Sequence, residues 1–268
     1  VHIFSRSELI EVATFRAGEE KNNQGELIKD QSGKIIRDNI WGNLDQDTYR
    51  RDFTVNALYY CPISKKIIGH KDGIKDINQK KIVSIGDPQH RFSEDPVRSL
   101  RAIRFSNKLN FKIDKKIKDA IYEKGHLLSN ISNARIFDEF CKIFLSGMAE
   151  KNFNKLNSFG LNKFLITTEP NVNKFSHNVI FEALRNTDRR LKNNKSVTPG
   201  FLIAALLWPN LINRSLTKGE INLRKFFRSM DPVLRNQQKI TAIPRKFHSY
   251  IKDIWILQLK LHSRIGKQ

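Results

Sequence analysis

Glu94-Asp95-Pro96-Val97-Arg98-Ser99-Leu100-Arg101-Ala102-Ile103-Arg104-Phe105 is the stretch where the chain changes texture. Val97, Leu100 and Ile103 recur at helical spacing. Asp95 followed by Pro96 reads as a helix start, with the acid as cap and the proline in the first turn. On such a helix Glu94 and Asp95 lie four and three residues before Arg98, so one face can hold all three, and Arg101 and Arg104 extend it. Upstream the texture is mixed. Leu9–Phe15 is rich in β-branched and aromatic residues and reads as a strand. Residues 17–42 are polar and glycine-punctuated, as in a long mobile loop. Phe53–Tyr60 is apolar enough for a buried helix or strand, and its pattern does not choose between them. Ile63–Ile68 and Lys81–Ile85 read as short extended segments, with Asp72-Gly73 as a turn between them. Downstream, helical patterns recur at Ile117–Tyr122, Ala134–Leu145, Asn178–Leu191, Phe201–Leu207 and Tyr250–Leu261. No strand is expected after about residue 90. The reading is an α+β chain, a mixed α/β head followed by all-helical segments.

The chain has 268 residues, 39% of them hydrophobic, and a net charge of +21. That length and composition suit a globular protein with a real core. A field of this sign favours a polyanionic partner, nucleic acid first; the alternative is that lysine- and asparagine-rich codon usage inflates the charge. Cys61 and Cys141 lie too far apart in sequence for a disulfide framework or a zinc signature, which points to a reducing, cytoplasmic setting. The longest strongly apolar run, Phe201–Trp208, is too short to span a bilayer, so no membrane partner is expected. The seven histidines show no metal-ligand spacing. The chain opens with Val1 directly into strand-like residues, as a truncated product or an alternative start would.

Three segments carry candidate chemistry. Glu11 sits among apolar residues on the first strand, where an unpaired carboxylate is costly to bury. Metal binding is one reason to keep it; an edge-strand glutamate facing water is the simpler one. Arg50-Arg51-Asp52-Phe53-Thr54-Val55-Asn56 packs cations, a carboxylate and an amide around an aromatic ring. Arginine matches phosphate in a planar fork, and Asp or Asn can bond ribose hydroxyls. An ordinary charged turn entering a core segment accounts for it as well. In the third segment a carboxylate beside a guanidinium offers a fixed acceptor–donor pair that could read a base edge. A surface helix with ion pairs, each worth about 0.3–0.5 kcal/mol, is the alternative. Arg135 and Glu139 read as a structural i,i+4 pair, and Lys112–Lys118 as a solvated face that could track a phosphate backbone.

Taken together, Arg50–Leu58 and Glu94–Phe105 resemble the tRNA nucleotidyltransferase/poly(A) polymerase family, and the likeness extends from Val1 to about Lys267. Val1-His2-Ile3-Phe4, Ile36–Gly42, Leu184–Asp188, Pro199–Trp208 and Ala242–Leu259 are similar to the bacterial poly(A) polymerase branch. The resemblance implies template-independent addition of AMP from ATP to RNA 3' ends, with Mg2+, in RNA 3'-end processing. It implies a nucleotidyltransferase head ending near residue 60, a connecting segment 61–90, neck helices 91–150 and an RNA-binding helical body 151–268. It gives Glu11 as catalytic metal ligand, and Arg51, Asp52 and Asn56 as the ribose and triphosphate pocket. Asp95 and Arg98 become base readers, Glu94 orients Arg98, and Arg101 and Arg104 hold phosphates. Ala134–Glu139 matches the start of a neck helix. CCA addition to tRNA, or a non-catalytic RNA-binding remnant, is the alternative. The family's Gly-Gly turn and Asp-x-Asp pair precede these segments and are not in the sequence. With Glu11 alone, two-metal chemistry has too few ligands, so residues 1–268 by themselves are expected not to polymerise.

Overall fold

The computed structural model describes residues 1–5, 8–17, 41–167 and 174–265. The loop expected at 17–42 lies almost wholly outside the described residues. The chain opens with an antiparallel hairpin, β1 (His2–Ser5) and β2 (Glu8–Glu11), in which His2 faces Glu11 and Ser5 faces Glu8. The strand expected over Leu9–Phe15 is therefore shorter, and only Arg16 rejoins a ladder, through a single bridge to Trp41.

Helix α1 (Leu44–Arg50) follows behind a reciprocal capping box between Asn43 and Gln46. The apolar Phe53–Tyr60 run is neither one helix nor one strand. Thr54–Asn56 forms a 3-10 turn, and β3 (Leu58–Cys61) then pairs antiparallel with β4 (Lys66–Gly69). Gly69 ends β4 at the open end of that hairpin with φ +130°, where an added Cβ would lie 2.2 Å from the Ala57 carbonyl oxygen, so the site admits only glycine. Asp72-Gly73 is not a free turn. It is the entry to α2 (Gly73–Asn78), held because the buried Asp76 accepts the Thr54 hydroxyl at 2.7 Å. Strand β5 (Lys81–Ile82) runs parallel to the two-residue β6 (Lys112–Ile113), which lies beyond the expected end of strand structure.

The segment that decides the architecture is two helices, not one. Helix α3 (Pro88–Glu94) ends at Glu94, Asp95 is extended at φ −138°, ψ 92°, and α4 (Val97–Leu109) starts after Pro96. A residue before proline is pushed out of the helical region, and Asp95 is that residue. Helices α5 (Lys115–Lys124), α6 (Asn133–Phe144), α7 (Ala149–Ser158), α8 (Lys174–Lys192) and α9 (Pro199–Ser215) continue the chain. A two-residue hairpin, β7 (Leu216–Thr217) and β8 (Glu220–Ile221), leads to α10 (Leu223–Gln238) and α11 (His248–Ile265). Helices α1, α2, α3, α7 and α10 and this hairpin were not expected from the pattern.

One apolar cluster runs through the molecule. It begins at Phe53, takes in Leu100 and Ile103 of α4, Ile117 and Ile121 of α5 and Phe140 and Phe144 of α6, and ends at Trp255 of α11. Helix α9 is buried nearly all round among α8, α10 and α11. There the Trp255 indole donates to the Ala204 carbonyl at 2.8 Å. Helix α7 packs against both α4 and α6, the two helices that line a cleft with the α1–β3 connection. Among the described residues, no helix is long and apolar enough to cross a membrane.

Candidate functional site

The α1–β3 connection, α4 and α6 enclose an open cleft of about 650 Å³. Arg50, Arg51, Asp52 and Asn56 line one side. Asp95, Arg98, Arg101 and Phe105 line the second, and Arg135, Asp138, Glu139 and Lys142 the third. Six cationic side chains stand against four acidic ones, so the cleft favours an anion.

Asp52 ties two of these sides together. It is 6% exposed, and one oxygen accepts its neighbour's amide, Phe53 N, at 3.0 Å and Asn56 Nδ2 at 2.9 Å. Its other oxygen accepts Arg101 Nε at 2.5 Å. A buried carboxylate needs such partners, and here they come from segments 49 residues apart. The result is an Asp–Asn–Arg cluster in fixed register at the cleft wall, with Arg101 also 5.6 Å from the Phe105 ring.

Asp47 performs the same office for the arginine pair; the sequence reading missed it, although its i,i+3 and i,i+4 spacing to Arg50 and Arg51 was the signal for it. It is 2% exposed. It accepts Arg50 Nε at 2.7 Å, Arg51 Nη2 at 2.9 Å and the Tyr59 hydroxyl. Burial works to raise its pKa, but the bonds from Tyr59, Arg51 and Arg50 outweigh it and hold the carboxyl well below the usual range. Asp47 fixes the directions of Arg50 and Arg51 where they face the cleft.

The third segment departs from the expected single face. Glu94 is outside the lining, at the end of α3, yet its Oε2 accepts Arg98 Nη1 at 3.2 Å and Arg91 Nη1 at 3.1 Å. Arg98 Nη1 also donates to the Arg91 carbonyl at 2.8 Å. The Asp95 carboxylate does not pair with the Arg98 guanidinium, although the Arg98 amide donates to the Asp95 carbonyl at 3.1 Å. One oxygen accepts Val97 N at 3.2 Å and the other accepts Arg135 Nη2 at 2.8 Å. The expected Arg135–Glu139 pair is accordingly absent. Arg135 is drawn to Asp95 across the cleft, and Glu139, 3% exposed, takes Lys142 Nζ at 2.8 Å. Arg104 also lies outside the lining. It sits half-buried with its guanidinium 4.3 Å from the Phe105 ring, and burial pushes its pKa down. Its charge still feels the cleft residues Glu139, Asp52 and Arg101, so it stands just behind the lining.

Glu11 is not brought to the cleft lining. Its side chain is 74% exposed on β2, with His2 Nε2 4.0 Å away. Among the described residues no three His, Cys, Asp or Glu side chains gather to hold a metal ion. These residues alone do not fit a magnesium site, and Glu11 offers a single carboxylate toward one. What the cleft itself can do is bind: guanidinium forks for phosphate oxygens, an Asp–Asn pair for hydroxyls, and acceptor and donor edges at Asp95 and Arg98.

Comparison with known proteins adds a family context. A family model described as the poly A polymerase head domain matches residues 1–83. One described as the probable RNA and SrmB-binding site of polymerase A matches 110–175, and one described as the polymerase A arginine-rich C-terminus matches 218–268. Poly(A) polymerase I of Haemophilus influenzae is 38% identical over 276 residues, which cover 99% of this chain and 61% of that protein. A CCA-adding enzyme of Lactococcus lactis subsp. cremoris is 37% identical over 141 residues, 53% of this chain and 33% of that protein. The chain thus spans about three fifths of the poly(A) polymerases it matches. Among solved structures, the Bacillus stearothermophilus CCA-adding enzyme in complex with CTP superposes with a TM-score of 0.57 at 22% identity. It covers 97% of this chain and 54% of that one, a likeness that speaks for the fold alone.

Proposed function

The chain belongs to the poly(A) polymerase family, and from that premise we propose that its cleft holds ATP for template-independent transfer of AMP to an RNA 3' end. The carrying observation is that Arg51, Asp52 and Asn56 line one cleft with Asp95, Arg98 and Arg101. Arg50 and Arg51, aimed by Asp47, take the triphosphate. Asp52 and Asn56 take the ribose, and Asp95 and Arg98 take the base edge, with Glu94 orienting Arg98. Arg104 acts from behind Phe105. Such a transfer would draw on Mg2+, toward which Glu11 would offer one carboxylate; the described residues alone do not assemble a site for it. The segment matching the RNA-binding model, 110–175, carries the RNA. The setting is cytoplasmic RNA 3'-end processing.

The test is primer extension by the protein that carries this chain, with Asp52→Asn and Arg98→Gln beside the parent. Misplacing ribose or base should lower AMP incorporation on the order of 100-fold, with helical content retained. Unchanged extension in both variants would remove the cleft from the reaction. Residues 1–268 purified alone should bind ATP and RNA without steady AMP incorporation, since inline transfer with metals needs more carboxylates than Glu11.

The sequence likeness to a CCA-adding enzyme over 53% of the chain supports a second reading, addition to tRNA. Incorporation of CTP into tRNA lacking its end would favour it, and ATP-only extension of generic RNA would oppose it. A non-catalytic RNA binder would bind RNA in a salt-sensitive way with no turnover, unchanged by Asp95→Ala.

A further inference from the structure

Arg91 lies outside the cleft lining, yet its guanidinium joins the two segments that make the cleft. Nη2 lies 2.9 Å from the carbonyl oxygens of both Arg50 and Arg51 and 3.4 Å from that of Tyr49. These are carbonyls at the C-terminal end of α1, where a helix leaves acceptors without intrahelical partners and a cation is favoured. Nη1 lies 3.1 Å from Glu94 Oε2, which also holds Arg98 Nη1, and the Arg91 carbonyl holds the same Arg98 nitrogen. The contacts reach 40 to 42 residues back along the chain.

We infer that Arg91 is a positioning residue that sets Arg98 in register with the Arg51–Asp52 backbone, and thereby sets which base the cleft accepts. The inference rests on the reading of the cleft as an ATP site. Asp52 is already tied to α4 through Arg101, which fixes where a sugar would sit. Among the described residues Arg98 makes no hydrogen bond or ion pair to that segment; its hydrogen-bonded link to it passes through Arg91 and Glu94. A planar fork can serve carbonyls on one side and a carboxylate on the other, and a lysine ammonium, a point charge, cannot span both in fixed geometry. The role therefore belongs to base discrimination more than to triphosphate affinity.

The experiment is equilibrium binding of ATP and of CTP to the protein carrying this chain, with thermal melts alongside, for the parent, Arg91→Lys and Glu94→Gln. The parent is expected to prefer ATP. Arg91→Lys should lower the ATP-to-CTP preference about tenfold, as losing a charge-assisted hydrogen bond would. CTP affinity should stay within about twofold, because the phosphate contacts remain. Glu94→Gln keeps the Arg91 contacts to α1 and weakens the hold on Arg98, so it should move the ratio the same way by about threefold. It reads the relay even if Arg91→Lys fails to fold. ATP binding with an unchanged ratio in the folded variants would overturn the inference and leave the ATP site standing. A parent that binds no nucleotide would overturn the ATP reading and this inference together.

Discussion

At the scale of single residues, the arginine pair of the cleft depends on Asp47. Two guanidinium groups and a phenol converge on one buried carboxylate, and each would point elsewhere without it. Removing one partner of a buried ionic cluster is costly because the others stay behind, still partly desolvated. Asp47→Asn should lower the unfolding free energy by about 2–3 kcal/mol at pH 7, a discounted value because Arg50 and Arg51 are partly exposed. The sign with pH is fixed by the direction of the shift. A carboxyl whose folded pKa lies below its ordinary 3.8 stabilises the fold above that value, and the contribution fades as pH falls through the folded pKa. Urea unfolding of parent and variant should therefore differ by the same amount at pH 7 and pH 5 and converge only below about pH 4. Convergence already at pH 6 would tie the effect to a histidine and not to Asp47.

At the scale of elements, helix α7 begins with a cap borrowed from another helix. Met148, at its N-cap, offers no side-chain bond, and Asp188 of α8 accepts Ala149 N at 2.6 Å and Glu150 N at 3.2 Å. Asp188→Ala should cost about 1–2 kcal/mol by urea unfolding, as losing a cap does, with little change in nucleotide affinity because Asp188 lies outside the cleft lining. A loss of affinity as large as that of Asp52→Asn would make α7 part of the binding apparatus. Helix α4 was legible because Val97, Leu100 and Ile103 repeat at the helical period and all three are buried. The break at Asp95 was legible too, in the dipeptide Asp95-Pro96, but the charged face drew the reading across it. Helix α1 has seven residues and few apolar positions, so periodicity could not announce it. Asp47 stands three and four residues before Arg50 and Arg51, a helical ion-pair spacing that could have named it, but its bond to Tyr59 could not be read locally. The Arg91 contacts to α1 and the Asp95–Arg135 pair join distant segments, and no local spacing encodes them, whereas Arg51–Asn56 and Asp95–Arg101 could be named from their own strings.

At the scale of the whole molecule, the net charge of +21 is either a surface for RNA or a by-product of composition. The fold gives the question a location. Lys112 on β6 and Lys115, Lys116 and Lys118 on α5 are all exposed, within the segment that matches the RNA-binding family model. They lie on neighbouring elements, since β6 runs directly into α5 through the Asp114 cap. Four lysines, each neutralising one phosphate of a single strand, would give log K against log salt a slope of about −3. Their share of the affinity would then fall about fifty-fold between 50 and 200 mM salt. Replacing all four by Gln should make the measured slope shallower by about that amount. Folding should be untouched, because the side chains are solvated and the apolar partners Ile113 and Ile117 stay in the core. A slope that does not change would mean that this face does not track the backbone, and the charge here would be only compositional. A slope shallower by about 3 would place the RNA on the β6–α5 face, and the proposed cleft would then receive the 3' end of a strand already held by its phosphates.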